Sequence, residues 1–341
     1  MSLRGCPRPL SEAYDVALLD LDGTVYISDR AVPGAGEALE KARAGGMRLA
    51  FVTNNASRTP SAVALLLSDI GVPATTEDVV TSAQAAARML SDRLPAGARV
   101  LVVGGMGLRQ AVRAQGLRPV STAAERPAAV VQGYTPDLSY GLLAEGAQAV
   151  ADGALFVGSN GDRTVPGGPG RRPRPGNGSM LRVIGTATGV DPIVTGKPEL
   201  PLHQESVRRT GARRPLVVGD RLDTDIEGAR RGGADSLLVL TGVTDALTLA
   251  TAAPDRRPTY VAADMGGLLT PHPAVGYDGH GHECGGWRAT WAADEEHIEL
   301  SGQGDRIDGL RALCAAAWRA DEAIAPQAVA AALDRLDDGA A

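Results

Sequence analysis

Two aspartates one residue apart close an apolar run in "DVALLDLDGTVY", residues 15 to 26. A buried carboxylate is costly unless something pairs with it, so Asp20 and Asp22 at the end of a core strand point to chemistry. One carboxylate of such a pair can attack phosphorus as a nucleophile. The other can protonate a leaving oxygen and then deprotonate an attacking water. Read alone, the pair could equally cap a strand-to-turn junction. A second acidic cluster stands in "VVGDRLDTDIEGA", where Asp220, Asp223 and Asp225 follow another apolar run. Asp220 and Asp225, set opposite Asp20, would supply the oxygen ligands that Mg²⁺ favours. Asp223 or Asp225 could instead cap the helix that follows.

Two further stretches complete the set. "FVTNNASR" ends a strand in hydroxyl and amide groups, and the Thr53 side chain and the N–H groups after it could bind phosphate oxygens. An ordinary Asx turn is the plainer reading there. "TGKPE" places Lys197, one of only two lysines with Lys41, before a helix expected to start at Pro198. An ammonium there would relieve the repulsion between a carboxylate nucleophile and a phosphate.

These residues need a frame that brings strand ends together. Short apolar runs alternate with amphipathic segments along most of the chain. "DVALLD", "RLAFVT", "RVLVVGG", "AAVVQG", "ALFVGSN", "RPLVVGD" and "SLLVLTG" read as strands. "GAGEALEKARAGG", "SAVALLLSDIG", "VVTSAQAAARMLSDRL", "GLRQAVRAQG", "SYGLLAEGAQAVADG", "GSMLRVIGTATG", "LPLHQESVRRTG" and "TDIEGARRGG" read as helices. Such alternation predicts a parallel sheet covered by helices, with its site at the carboxyl ends of the strands. Residues 161–178, dense in Gly, Pro and Arg, read as a loop. "PHPAVGYDGHGHECGG" reads as a linker, followed by a small module of two short strands and one helix.

Composition bounds the function. The 341 residues allow two domains and a small tail, and 44% hydrophobic content supports a sizeable core. A net charge of -6, with both signs interspersed, gives no basic stripe for nucleic acid. No apolar run has the length of a membrane span, and the first residues hold no apolar leader. Cys6, Cys284 and Cys314 are odd in number and far apart, which argues against a disulfide framework. A cytoplasmic protein without nucleic-acid or membrane partners is expected; a homo-oligomer is left open.

The order Asp-x-Asp-Gly-Thr, strand-end Thr, Lys before a helix and Gly-Asp-(x)₄-Asp resembles the haloacid dehalogenase (HAD) superfamily of phosphatases. "TNNASR", "PGNGSM", "GKP" and "VGDRLDTDIEGA" resemble its NagD-type and 4-nitrophenylphosphatase-type subfamily over about residues 12 to 268. The resemblance implies a doubly wound parallel-sheet α/β core with an inserted α/β cap of C2 type. It implies Asp20 as nucleophile and metal ligand, and Asp22 as acid/base with its carbonyl on Mg²⁺. Thr53 and Asn54, with Asn55 beside them, would bind phosphate. Lys197 would neutralise charge, and Asp220 and Asp225 would complete the metal site. Asp20 and Thr53 are too close in sequence to admit a large insertion, whereas Thr53 and Lys197 leave room for a complete domain. The expected partition is a core of residues 10–82 and 189–268, a cap of 83–188 and a small α+β C-terminal module of 272–341.

The chain is also similar to actinobacterial phosphatases of glycerol 3-phosphate, which share "VTSAQ", "VLTGV" and "RRPTY" and carry an extension resembling part of an acetyltransferase fold. That likeness implies a small phosphorylated metabolite, with glycerol 3-phosphate the first expectation. Phosphoglycolate, a sugar phosphate, pyridoxal phosphate or a nucleoside monophosphate are the alternatives. A regulatory or acyl-CoA-binding role of the tail ranks below them. "SNGD" and "RRPRPG" depart from those relatives where a cap would meet substrate. Asn177 and Ser179 could cap a helix or hold a substrate hydroxyl. Arg171, Arg172 and Arg174 read as a solvated loop before an anion-attracting one. His280, His282 and Cys284 are zinc-ligand types without a second pair at a fitting spacing.

Overall fold

The computed structural model describes residues 3–165, 171–292, 296–319 and 324–338. The chain divides into two compact units, Met1–Leu49 with Ala212–Ala341, and Ala50–Gly211.

In the first unit, four parallel strands lie in the order Tyr260–Ala262, Asp235–Val239, Pro215–Gly219, Val16–Leu19. Every residue of Val16–Leu19 is buried, as are Leu216–Gly219 and Ser236–Val239. Sheets covered on both faces require such uninterrupted apolar runs. The register pairs Leu19 with Val218, so these two strands finish side by side. Both acidic stretches leave the sheet there.

The segment expected to be a linker is part of a sheet. Gly276–Tyr277, His282–Cys284, Trp287–Trp291 and Ile298–Gly302 form a four-stranded antiparallel sheet, backed by helices Arg306–Ala317 and Gln327–Asp338. Positive φ at Gly279, Gly285 and Gly286 makes the two tight turns, so glycine density here marks hairpins rather than a tether. The tail also holds more strands and helices than expected. It shares one apolar core with the parallel sheet, in which Leu238, Leu249 and Val261 join Trp287, Leu310, Leu313 and Trp318. Polar contacts lock the join. The Trp318 indole donates to the Ala250 carbonyl at 3.1 Å and Arg311 Nη2 to the Val261 carbonyl at 2.8 Å.

His272 sits in that join, 3% exposed. Its Nε2 contacts the Gly267 carbonyl at 2.8 Å, and Arg311 Nη2 approaches Nδ1 at 3.2 Å. This places the proton on Nε2 and makes Nδ1 an acceptor. Burial pushes the imidazole's pKa down, and the Arg311 charge adds to that against the Gly267 bond. The unfolded chain then binds the proton first. Stability is complete above the unfolded value of about 6.5 and declines as pH falls from there through the folded value. Melting temperatures from pH 8 to pH 5 should therefore fall less steeply for His272→Gln than for the parent chain; parallel curves would refute the assignment.

The second unit holds a parallel pair, Phe51–Thr53 against Val79–Thr81, and a parallel five-stranded sheet. The order of that sheet is Ile193–Val194, Leu155–Gly158, Ala129–Gln132, Arg99–Val103, Arg118–Val120. Alternation along Arg99–Val103 sends Val100 and Val102 into one core with helices Ser82–Ser91 and Met106–Ala114. Leu101 and Val103 face the other, with Tyr140–Ala151 and Asn177–Thr188. This is the period of two on a sheet wrapped on both faces.

Local boundaries differ from expectation in four places. Val79–Thr81 is a strand, and the helix begins at Ser82, because Thr81 and Gln84 form a reciprocal capping box. The helix after Lys197 begins at Leu200, with Pro201 in its first turn. The Lys197–Pro198 peptide is cis, and Glu199 N–H returns to the Gly196 carbonyl at 2.9 Å in a tight turn. Leu222–Ile226 is a π-helical turn, and only Glu227–Arg231 is α-helical. Within the segment expected to be loop throughout, Thr164–Val165 pairs with Arg174–Pro175. Residues 166–170 of that segment lie outside the described residues.

Candidate active site

In the first unit, Asp20, Asp220 and Asp225 each offer a carboxylate oxygen, all within 4.8 Å of one another. Strand geometry makes this meeting. Asp20 N–H continues the ladder to the Val218 carbonyl at 2.8 Å, so the residues after each strand leave at one point of the sheet. Asp220 and Asp225 are buried and Asp20 is half-buried. Asp220 is held by hydrogen bonds to its carboxylate and its main chain. Thr24 Oγ1 donates to Oδ1 at 3.2 Å, Val243 N–H to Oδ2 at 2.7 Å, and its carbonyl accepts Thr244 N–H at 3.2 Å. Asp225 Oδ2 accepts Arg221 N–H at 3.2 Å across the π turn. Asp223 pairs instead with Arg221, at 2.8 and 3.0 Å, and is not one of the three.

Glycines make room for these carboxylates. A Cβ on Gly219 would collide with the Asp225 carboxylate, and one on Gly242 with that of Asp220. Gly23, at φ +88°, turns the chain so that the Leu21 carbonyl accepts from Thr24, Val25 and Tyr26. Asp22 is carried on this turn, exposed, with Tyr26 Oη donating to Oδ2 at 3.3 Å. Three carboxylates in a close oxygen cradle fit the donor set of a hard divalent cation such as Mg²⁺.

The second unit gathers the other expected residues. Thr53 is buried, and its Oγ1 accepts Asn55 N–H at 3.0 Å. Asn55 Oδ1 accepts from Ser57 N–H at 2.9 Å and Ser57 Oγ at 2.7 Å, so the Asx turn is present. The Asn54 side chain binds protein groups: Nδ2 donates to the Asp162 carboxylate at 3.1 and 3.2 Å and to the Lys197 carbonyl at 3.2 Å. Its Oδ1 accepts Lys197 N–H at 2.8 Å. Lys197 Nζ donates to the Val52 carbonyl at 3.2 Å. Asn177 Nδ2 donates to the Asn160 carbonyl at 2.8 Å, while its buried Oδ1 meets no protein donor among the described residues. Ser179 Oγ donates to the Arg163 carbonyl at 2.7 Å. Arg171, Arg172 and Arg174 are exposed.

Sequence reasoning did not single out Thr24, Val243, Asn160 or Asp162. Thr24 was visible as the last residue of "DLDGT", and Asn160 as one of only four asparagines. Val243 contributes a main-chain donor, for which no side-chain signal exists. Asp162 is separated in sequence from the residue it serves.

Residues 17–118 match the model of the haloacid dehalogenase-like hydrolases and 194–268 a HAD-hydrolase-like model, and the chain belongs to this family. Residues 284–337 match a GCN5-related N-acetyltransferase-like domain. The chain is 44% identical over 321 residues to the D-glycerol 3-phosphate phosphatase of Mycobacterium tuberculosis, covering 92% of this chain and 88% of that one. It is 38% identical to a 5'-nucleotidase of Bacillus subtilis, over 68% of this chain and 90% of the relative. The crystal structure of a glycerol phosphate phosphatase from M. tuberculosis in complex with magnesium superposes with a TM-score of 0.86 at 43% identity. That match covers 96% of this chain and 99% of that one. A 4-nitrophenylphosphatase from Thermotoga maritima gives a TM-score of 0.70 at 29% identity, over 76% and 98%. Relatives with different named substrates match 68% and 76% of the chain, while the glycerol phosphate phosphatase structure matches 96% of it.

Proposed function

We propose that the protein is a Mg²⁺-dependent phosphomonoesterase that hydrolyses glycerol 3-phosphate through an aspartyl-phosphate on Asp20. The observation that carries this reading is the convergence of the Asp20, Asp220 and Asp225 oxygens at neighbouring strand ends. The near full-length likeness to a glycerol 3-phosphate phosphatase supports the substrate.

In the proposed reaction an Asp20 oxygen attacks phosphorus, and the bond from phosphorus to the glycerol oxygen breaks. Asp22 gives its proton to that oxygen, and its exposed position on the turn suits exchange with solvent. Water then attacks the phosphorus of the aspartyl-phosphate, and Asp22 takes the proton as the acyl phosphate P–O bond breaks. Asp20, Asp220, Asp225 and the Asp22 carbonyl would hold the metal. When bound, Mg²⁺ offsets the charge on the phosphoryl oxygens. Thr53 Oγ1 and the amides of Asn54 and Asn55 are assigned to phosphate oxygens, and Lys197 to their charge. Asn177 and Ser179 are assigned to the glycerol hydroxyls. The buried Asn177 Oδ1, which meets no protein donor among the described residues, supports the first of these.

The proposed partition remains a core of 10–82 and 189–268, a cap of 83–188 and a module of 272–341. The five-stranded sheet supports the cap, although its edge strand Ile193–Val194 falls within the span assigned to the core. A cytoplasmic location is proposed with it. Among the described residues, no helix is long and apolar enough to cross a membrane.

Phosphate release should be measured across a panel of phosphomonoesters, with Mg²⁺ and with chelator. Glycerol 3-phosphate is expected to lead the panel, and chelator to abolish turnover. Preference for another ester would overturn the substrate but keep the chemistry. Mg²⁺ should also raise the melting temperature of the parent chain, and of Asp225→Asn far less, since binding to the folded state alone stabilises it. An equal rise in both would refute the metal site.

A further inference from the structure

We propose that Asp162 is a positioning residue for Lys197, acting through the side-chain amide of Asn54. The inference rests on the reading of Lys197 as the cation of the reaction.

Asn54 grips a single residue at two points. Its Oδ1 takes the Lys197 N–H at 2.8 Å and its Nδ2 gives to the Lys197 carbonyl at 3.2 Å. The amide of Asn54 could sit in either of two orientations differing by a half-turn. The reversed one would set its oxygen against the Asp162 carboxylate and its N–H₂ against Lys197 N–H. Asp162, accepting the second Nδ2 proton at 3.1 and 3.2 Å, selects the orientation that binds Lys197. A carboxylate acceptor makes a stronger bond than a neutral one. At its other end Lys197 Nζ donates to the Val52 carbonyl. Lys197 is therefore tied at both ends to the stretch Val52-Thr53-Asn54.

Asp162 is itself fixed. Its N–H donates to Asn160 Oδ1 at 3.2 Å, and its carbonyl accepts Gly178 N–H at 2.8 Å. Asn160 Nδ2 and Ser82 Oγ both donate to the Asn54 carbonyl at 2.6 Å. The segment 160–162 thus holds Asn54 by main chain and side chain together. Gly178 allows this approach, since a Cβ there would collide with the Gly161 carbonyl. This accounts for two stretches that the proposed mechanism leaves idle, "SNGD" and the glycines of "PGNGSM". They form a latch whose charged tip is Asp162.

The test is a double-mutant cycle in kcat with Asp162→Ala, Lys197→Ala and the double variant, assayed on an activated aryl phosphate. Misplacing a transition-state cation by a fraction of an ångström costs rate rather than binding. Asp162→Ala is expected to lower kcat about 10- to 100-fold with KM changed less than about threefold. Asp162→Asn, which keeps one acceptor oxygen, should recover part of the loss. In the Lys197→Ala background, replacing Asp162 should change kcat less than about twofold, because the residue it serves is gone. Losses that multiply would overturn the inference, as would an unchanged kcat in Asp162→Ala. If Asp162→Ala does not fold, the same cycle is run with Asp162→Asn, for which a smaller loss in kcat that disappears in the Lys197→Ala background is expected, and an unchanged kcat or multiplying losses would overturn the inference. Full activity in Lys197→Ala would overturn the role of Lys197 and the inference with it; loss of activity there with multiplying losses overturns the inference alone.

Discussion

Asp20→Asn is expected to lower turnover by on the order of 10⁴-fold or more while leaving the protein folded. An amide cannot form the phosphoryl ester that the proposed reaction needs, yet it matches the carboxylate in shape. The main-chain bond from Asp20 to the Val218 carbonyl does not depend on the side chain. The carboxamide also keeps the size of the carboxylate, so the metal-free variant should still unfold in one cooperative transition. Steady-state phosphate release and a thermal melt together check this. Activity above about one part in a hundred, in a preparation free of parent enzyme, would remove Asp20 as nucleophile. Inactivity with a collapsed melt would mean that the substitution reports on folding. Asp220→Asn should behave otherwise, because Asp220 accepts from Thr24 and Val243 in the folded protein. Loss of its charge weakens both bonds, and a lower melting temperature is expected alongside lost activity.

The second large effect concerns the tail. A chain ending at residue 270 should fail to accumulate as folded protein. The helices that cover the parallel sheet contribute Leu222, Ile226, Leu249 and Ala250 to a core completed by Trp287, Leu310, Leu313, Cys314 and Trp318. Truncation would bare that apolar layer, and exposed patches of this size drive association. A milder probe is Trp287→Ala. Trp287 is 1% exposed and is the largest fully buried side chain of the described residues. Its removal is expected to cost about 3–5 kcal/mol. Urea denaturation measures this directly. A truncated chain with the melting temperature and kinetics of the parent would show that the tail is an accessory.

Much of the site was legible because its chemistry is local. Asp20 and Asp22 flank a turn only a few residues long, and the π turn carries Asp225 back towards the strand that ends at Gly219. Short spacings of this kind constrain geometry before any tertiary contact forms. The parallel strands were legible for a related reason. A strand buried on both faces must be apolar throughout, and "VALL", "LVV" and "SLLV" are short enough to exclude helices. The tail was misread where glycine has two meanings. "GYDGHGHECGG" has the composition of a tether, but Gly279, Gly285 and Gly286 occupy left-handed turn positions between paired strands. Composition does not separate these cases; pairing does. The start of the helix after Lys197 was misplaced because proline opens helices and also occupies tight turns, and the local sequence serves either.

The sequence by itself determined the parallel α/β class, the two acidic stretches and the family to which the chain belongs. Each of these is carried by residue type and short-range spacing, which act before the chain is folded. Tertiary structure alone decided the partner of Asp223, whose carboxylate pairs with Arg221. It also turned the amide of Asn54 to Lys197 and Asp162, and made the tail a wall of the core. These outcomes depend on which of several available partners a polar or apolar group meets. That choice is made by desolvation and packing between segments far apart in the chain, where a single sequence holds no record of distance.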